Sequence, residues 1–473
     1  MKRHALPRTV DGFIDVPAIP RTGMANAFPG MIPEVYDIRD EDFPQLDAHG
    51  RVYLDSGATS QEPNSVKERM HRYKMHEIRG SNHSENSVEA RHAQEGYESA
   101  RANVQEFFGA HDYSVAFTSG TTGSSNAVAS RFPFTRGDLL LLTEMEHNSQ
   151  IMTARNAARR AHAHVEYVPV DHEGYLDLDA LDAILAKQGD GRVLMNLVHA
   201  SNVTGIVNPV REIREIIDRR VGDRGFMYLD VAQSAGHIPI DLDDLGPDFA
   251  ALSAHKVYGP QGVGALFVSE RGNAILNDHV TGGSTILLIG KSFELYRDPP
   301  ERFEPGTRNI EGAIEFGMTV DYLRKIGMDR IEAHDKALGE YLTGELGRIE
   351  GVETYGPGLP FHDRVPVVTF NIGPFGLKNY EQAASALDRR EVSVRDGCFC
   401  ANIYFRTLIG SDIDVPDTLG KAAKAKKLRE IRQSLIDGSL VPVGAIRASI
   451  AFYNTPEDIY KAVMAIRDAA KAL

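Results

Sequence analysis

A chain of 473 residues is longer than one hydrophobic core normally organises and predicts two or three domains. Its 42% hydrophobic and 25% charged residues are those of an ordinary globular protein, and no apolar run approaches the length that crosses a bilayer. The 66 acidic against 52 basic side chains, a net charge of −14, argue against broad binding to nucleic acid, which needs clustered positive charge.

In chain order, the stretch from Met1 to Pro20 begins basic but has no apolar core followed by a small-residue cleavage site. Residues 1–36 read as a poorly ordered arm or a subunit-embracing extension, and residues 37–54 as a segment joining a small domain. Residues 55–310 form the large domain. Within it, Val115–Thr118, Leu139–Thr143, Val165–Val170, Val193–His199, Phe226–Asp230, Phe249–Ser253 and Val263–Val268 have the composition of buried strands. Helix-period segments such as Leu178–Ala186 and Val210–Arg220 lie between several of them. That alternation predicts an α/β fold, a mainly parallel sheet covered by helices on both faces.

From residue 311 the pattern changes. Two helical stretches, Glu311–Ile326 and Arg330–Ile349, precede strands at Val365–Ile372, Val392–Arg395 and Ala445–Tyr453. Thr455-Pro456-Glu457-Asp458 opens the last helix with an N-cap, a proline at the first helical position and early acids. Residues 311–473 therefore read as a smaller α+β domain. The only two cysteines, Cys398 and Cys400, give no disulfide framework and predict a reducing, cytoplasmic setting. They supply only half a tetrahedral zinc set, so no metal site is expected. The pair His162 and His164 is better explained by a half-exposed strand entry than by a metal.

Chemistry gathers at the ends of the central strands, where open α/β sheets bind ligands. Thr118-Ser119-Gly120-Thr121-Thr122-Gly123-Ser124-Ser125 joins a strand to a helix and offers amides and hydroxyls to a phosphate. It matches neither the ATP nor the dinucleotide glycine motif. Asp230-Val231-Ala232-Gln233 ends a strand with an acid that could serve a metal, a ribose or a protonated ring nitrogen. Ser253-Ala254-His255-Lys256 places a lysine at the edge of the hydrophobic sheet, where a lowered pKa would let it form an imine.

Together with Leu54-Asp55-Ser56-Gly57-Ala58-Thr59-Ser60-Gln61-Glu62-Pro63, Glu146-His147-Asn148 and Ser201-Asn202-Val203-Thr204-Gly205, these segments resemble the class V aminotransferase family of fold-type I pyridoxal 5′-phosphate (PLP) enzymes. Within it they are most similar to the cysteine desulfurase branch of the SUF type. The resemblance implies that Lys256 holds PLP as a Schiff base, that Asp230 pairs with the ring nitrogen, and that His147 stacks on the ring. Gln233 would bond the phenolic oxygen with Asn202 beside it, and Thr121, Thr122, Ser253 and His255 would hold the phosphate. Thr307, in Glu304-Pro305-Gly306-Thr307, resembles a residue that reaches the phosphate across a homodimer interface.

Two elements bear on the reaction. Arg447 resembles the arginine that clamps the carboxylate of an amino acid, a task suited to its planar fork. Cys400, in Arg395-Asp396-Gly397-Cys398-Phe399-Cys400-Ala401, falls on the position of the nucleophilic cysteine that takes sulfur as a persulfide. Arg395 and His83 would favour its thiolate, His83 matching the family's active-site histidine after a shift of one residue. Cys398 reads equally as an inert half-core thiol or as a relay or disulfide partner. The resemblance lapses over residues 411–443, where Asp412-Ile413-Asp414-Val415-Pro416 leads into a basic helix, Lys421–Ile436, read as a solvated helix, a lid or a docking surface. What is implied is an L-cysteine desulfurase, or closely a selenocysteine lyase, with alanine as product and a possible sulfur-acceptor protein as partner. The alternatives are a C–S lyase, aminotransferase or epimerase acting on a specialised amino acid, and a silent scaffold that keeps the fold for binding.

Overall fold

The computed structural model describes residues 6–77, 80–81, 86–171, 173–277, 282–373, 375–411, 421–436 and 443–471. Its centre is a seven-stranded sheet. Across it run Tyr113–Thr118, Gly264–Ser269, Phe249–Ser253, Gly225–Asp230, Val193–Val198, Leu139–Thr143 and His164–Val168. All neighbours are parallel except the two pairings made by Gly264–Ser269. The inner strands of the alternating βα region are mainly apolar because both faces are covered, as parallel sheets require. Leu139–Thr143, Val193–Val198 and Phe249–Ser253 are buried at every position. The outermost strand, His164–Val168, alternates exposed and half-buried residues instead, and His162 and His164 are exposed at its entry.

Helix Ile310–Ile326 lies so close to helix Val88–Phe107 that a Cβ on Gly317 would stand 2.7 Å from Ala100. A side chain there would push the two helices apart.

The C-terminal region builds a four-stranded antiparallel sheet in the order Val352–Tyr355, Val367–Ile372, Ala445–Ser449 and Arg395–Gly397. Three expectations change here. The strand expected from Val365 starts at Val367, because Pro366 has no N–H for the ladder. The strand expected over Val392–Arg395 divides between two sheets: Val392–Ser393 pairs in parallel with Val52–Tyr53, and Arg395–Gly397 pairs with Ala445–Ser449. The strand expected to continue to Tyr453 stops at Ser449, where Asn454 closes a turn: its side-chain oxygen accepts from the Ala451 N–H and its own N–H donates to the Ala451 carbonyl. Helix Pro456–Lys471 has the expected capping box. The Asp458 N–H donates to Thr455 Oγ1 and the Thr455 N–H donates to Asp458 Oδ2.

The N-terminal arm, where described, is packed rather than free. Phe13, Val16, Met24, Phe28, Met31 and Ile32 are buried in the main core. The Ile14 N–H donates to Glu345 Oε2 at 3.0 Å and the Ile32 N–H to His334 Nδ1 at 3.0 Å, fixing the arm to helix Met328–Leu346. Its scattered apolar residues have no single period, which hid this burial from the sequence.

Candidate active site

A cavity of about 720 Å³ opens at the carboxyl ends of the central strands, against the C-terminal four-stranded sheet. It is lined from the region of the central sheet by Thr121, Thr122, His147, Asn202, Asp230, Gln233, Ser253, His255 and Lys256, and from the C-terminal region by Arg395, Cys398, Cys400 and Arg447. The sequence thus brings together residues up to 390 positions apart, Gly57 to Arg447. Thr307 lies elsewhere, in a depression it shares with Ser119, Gly123 and Asn126. His83 falls outside the described residues.

Lys256 ends the short 3-10 turn Ala254–Lys256 that follows strand Phe249–Ser253. Burial lowers its pKa from the ordinary amine value, Arg447 pushes the same way, and Asp230 opposes them. Burial thereby favours the neutral, nucleophilic form of the amine. The turn is clamped from behind by Ser60, whose N–H and hydroxyl both donate to the His255 carbonyl and whose Oγ accepts from the Tyr258 N–H. Burial also lowers the pKa of His255, whose Nδ1 lies 3.2 Å from Thr59 Oγ1.

Asp230 is the last residue of its strand. Its Oδ1 accepts from the Ala232 N–H at 2.9 Å and its Oδ2 from Gln150 Nε2 at 3.2 Å. Gln150 is fully buried and spends its amide on three partners: it also donates to Ser125 Oγ at 2.7 Å and accepts from Asn196 Nδ2 at 3.2 Å. Gln150 and Asn196 are absent from the sequence reading. The available signal was spacing, since Gln150 follows His147 by three residues on one helix.

His147 caps helix Asn148–Arg160, its Nδ1 accepting from the Ser149 N–H at 3.2 Å. That bond leaves the ring proton on Nε2, and burial together with Lys256 lowers its pKa, so the imidazole is neutral. Thr121 opens helix Thr121–Arg131, and its N–H and hydroxyl both lie 2.9 Å from Ser253 Oγ. Gly120 precedes it at φ +129°, and a Cβ there would stand 3.0 Å from Ser253 Oγ. The glycine keeps the helix N-terminus open to an anion.

Arg447 sits fully within the C-terminal four-stranded sheet. Nη1 donates to the Asn202 carbonyl at 3.0 Å and Nη2 lies 3.4 Å from Asp55 Oδ1, while Nε is buried without a partner. Burial lowers its pKa to about 10. Asp55, which the sequence reading did not assign, is shared with Arg395 at 3.0 Å; burial raises its pKa and the two guanidinium groups pull it back. Cys400 is exposed in a backbone turn held at φ +57°, after Phe399 at φ +53°. Such conformations are costly for residues with a Cβ and mark a turn fixed from outside. Here the Phe399 carbonyl accepts from Asn202 Nδ2 at 2.6 Å and the Cys400 carbonyl from the Asn148 N–H at 2.7 Å. Cys398 is half-buried, and its Sγ donates to the Val443 carbonyl at 3.0 Å. Burial raises its pKa.

The residues present fit PLP. Gln233 Oε1, Asn202 Oδ1 and Arg447 Nε are buried polar atoms with no protein partner, all on side chains that line the cavity. With them stand an open helix N-terminus, a strand-end acid and a desolvated lysine.

An α/β sheet with a lysine, an acid and an anion-binding helix end at one cavity defines a fold-type I PLP scaffold. The chain belongs to the class-V aminotransferase family, whose model matches residues 52–461. It is 35% identical over 429 residues to a probable cysteine desulfurase of Halalkalibacterium halodurans, covering 88% of this chain and 93% of that one. It is 32% identical over 431 residues to the cysteine desulfurase of Haloferax volcanii, covering 89% and 90%. Among solved structures it is similar to the apo cysteine desulfurase of Thermococcus onnurineus NA1, with a TM-score of 0.80, 29% identity and 93% and 98% coverage.

Proposed function

We propose that this protein is a PLP-dependent L-cysteine desulfurase that takes the substrate sulfur onto Cys400 and releases L-alanine. The observation that carries the reading is the position of Cys400, an exposed thiol held on a fixed turn in the same cavity as Lys256, Asp230 and Arg447. When bound, PLP supplies an electron sink conjugated to the substrate Cα.

The chain's own groups divide the remaining work. Lys256, whose neutral form burial favours, would hold the cofactor and then move a proton at Cα. Asp230, oriented by Gln150 and the Ala232 N–H, would pair with the ring nitrogen and keep it protonated. Arg447 binds the substrate carboxylate, with Nε and the Asp55-facing edge of its guanidinium as donors. His147, with its proton on Nε2, would stack on the ring and present that proton to the reacting atoms. The Cys400 thiolate attacks the substrate sulfur; the Cβ–S bond breaks, its electron pair goes to Cβ, and protonation there yields the methyl group of alanine. Selenocysteine fits the same site by the same chemistry.

A homodimer in a cytoplasmic setting completes the reading. It is supported by Thr307, which lines no part of its own chain's cavity, and by the hairpin Ile286–Ile289 and Glu294–Tyr296. Leu287, Leu288, Ile289, Phe293 and Leu295 stand exposed on that hairpin, an apolar surface that a second copy would cover. No described helix is long and apolar enough to cross a membrane.

The test is product analysis. With L-cysteine the native enzyme yields alanine and protein-bound sulfane sulfur. Cys400→Ser keeps the cofactor spectrum and loses sulfur release by orders of magnitude, because a hydroxyl cannot hold sulfane sulfur. Pyruvate and ammonia as products, or undiminished turnover by Cys400→Ser, would hand the assignment to a C–S lyase, aminotransferase or epimerase.

A further inference from the structure

The segment between the cysteine turn and the strand of Arg447 contains helix Lys421–Ile436. It carries Lys421, Lys424, Lys426, Lys427, Arg429 and Arg432 against Glu430 alone, within a chain of net charge −14. None of its described side chains is buried, and Leu428 and Ile436 are 51% and 68% exposed. One end of the segment is held by helix Asn402–Leu408, which leaves the cysteine turn, and the other by the turn itself. At one, Arg406 Nη1 donates to the Ser411 carbonyl at 3.2 Å; at the other, Cys398 Sγ donates to the Val443 carbonyl at 3.0 Å. The segment that carries the helix thus begins and ends at elements adjoining Cys400.

We infer that helix Lys421–Ile436 is the docking surface for an acidic sulfur-acceptor protein that presents a thiol to Cys400, an inference that rests on the desulfurase reading. Charge decides the occupant. The chain as a whole repels an acidic partner and this helix attracts it, so the field steers the partner to the cavity mouth. Leu428 and Ile436 give the encounter apolar contact once it is desolvated. An extended polyanion, such as an anionic membrane, would meet the negative remainder of the chain as well, whereas a compact acidic protein can engage the helix alone. The transfer itself needs no oxidant. The acceptor thiolate attacks the outer sulfur of the Cys400 persulfide, the S–S bond breaks, and Cys400 leaves as a thiolate while the acceptor carries the sulfane sulfur.

The test compares full-length holoenzyme with a variant carrying Lys427→Glu, Arg429→Glu and Arg432→Glu. The probes are a glutamate-rich peptide containing one cysteine and its glutamine-for-glutamate counterpart. At low ionic strength the acidic peptide takes sulfur from the native enzyme at least about tenfold faster than the neutral one. That advantage disappears at about 0.5 M salt and in the triple variant. Anisotropy of a labelled acidic peptide shows the same pattern of binding, independent of turnover. Alanine formation with dithiothreitol as acceptor is equal in the two proteins. Equal rates for the two peptides, or full binding by the triple variant, overturns the docking surface. Vesicles of phosphatidylglycerol that sediment with the native protein and not with the variant overturn it in favour of a membrane. Absence of alanine with dithiothreitol in both proteins sinks the desulfurase reading instead, and peptide binding still reports on the helix.

Discussion

The residue next to His147 is the most instructive single position. Glu146 is fully buried, its Oε1 accepting from Thr143 Oγ1 at 2.7 Å and from the Val198 N–H at 2.8 Å, its Oε2 without a partner. Burial, with a contribution from Asp230, pushes its pKa from 4.5 up to about 8. The folded protein therefore holds a proton there that the unfolded chain releases above pH 4.5. The unfolded state binds fewer protons, so this group takes stability away as pH rises from about 4.5 towards 8 and no further beyond. Glu146→Gln preserves the Oε1 acceptor and removes the titration. Thermal melts should show the variant gaining on the native protein between pH 5 and pH 9, with little difference at the acid end. An offset that is the same at both pH values refutes the buried, protonated Glu146.

At the scale of the element, the last helix shows how local signals and packing combine. Pro456–Lys471 is started by the reciprocal bonds of Thr455 and Asp458. It buries Ile459, Ala462, Val463 and Ile466 in the main core. Asp458 also takes an ion pair from the buried guanidinium of Arg39, which further binds Asp47 at 2.9 Å. The cap thus joins an N-terminal helix to the C-terminal one. Thr455→Ala removes the hydroxyl acceptor and should lower stability by about 1 kcal/mol, read as a reduced denaturation midpoint with an unchanged slope. A midpoint identical to that of the native protein shows that the Asp458–Arg39 pair holds the helix end without the cap.

For the whole molecule, the active site is an arrangement between two regions. Asp55, beside the strand Val52–Tyr53, bridges to Ser449, and its carboxyl meets Arg395 and Arg447. The Asn202 side chain and carbonyl, beside the central sheet, hold Phe399 and Arg447 of the C-terminal region. Ligand binding at such a seam stabilises both sides together. If the protein is a homodimer whose second copy lends Thr307, PLP should raise the melting temperature and the dimer fraction together. Light scattering of a PLP-saturated, fully active monomer at working concentration excludes that assembly.

The sequence by itself determined the elements whose physics is local. Continuous apolar strands such as Leu139–Thr143 and Phe249–Ser253, the amphipathic helix Leu178–Ala186 and the capped start at Thr455 follow from periodicity and cap chemistry. The basic helix Lys421–Ile436 lies where its period put it. Motif order was enough to nominate Lys256, Asp230, His147, Gln233, Cys400 and Arg447, and they line one cavity. Only the tertiary structure decided the rest, because those outcomes depend on partners remote in the chain. The run Ile450–Tyr453 has strand composition but is diverted by the turn of Asn454. Val392–Arg395 divides because its two halves find partners in different sheets. Gln150, Asn196 and Asp55 acquire their roles from groups they meet only after folding: a strand-end carboxylate for the first two, and two arginines for the third.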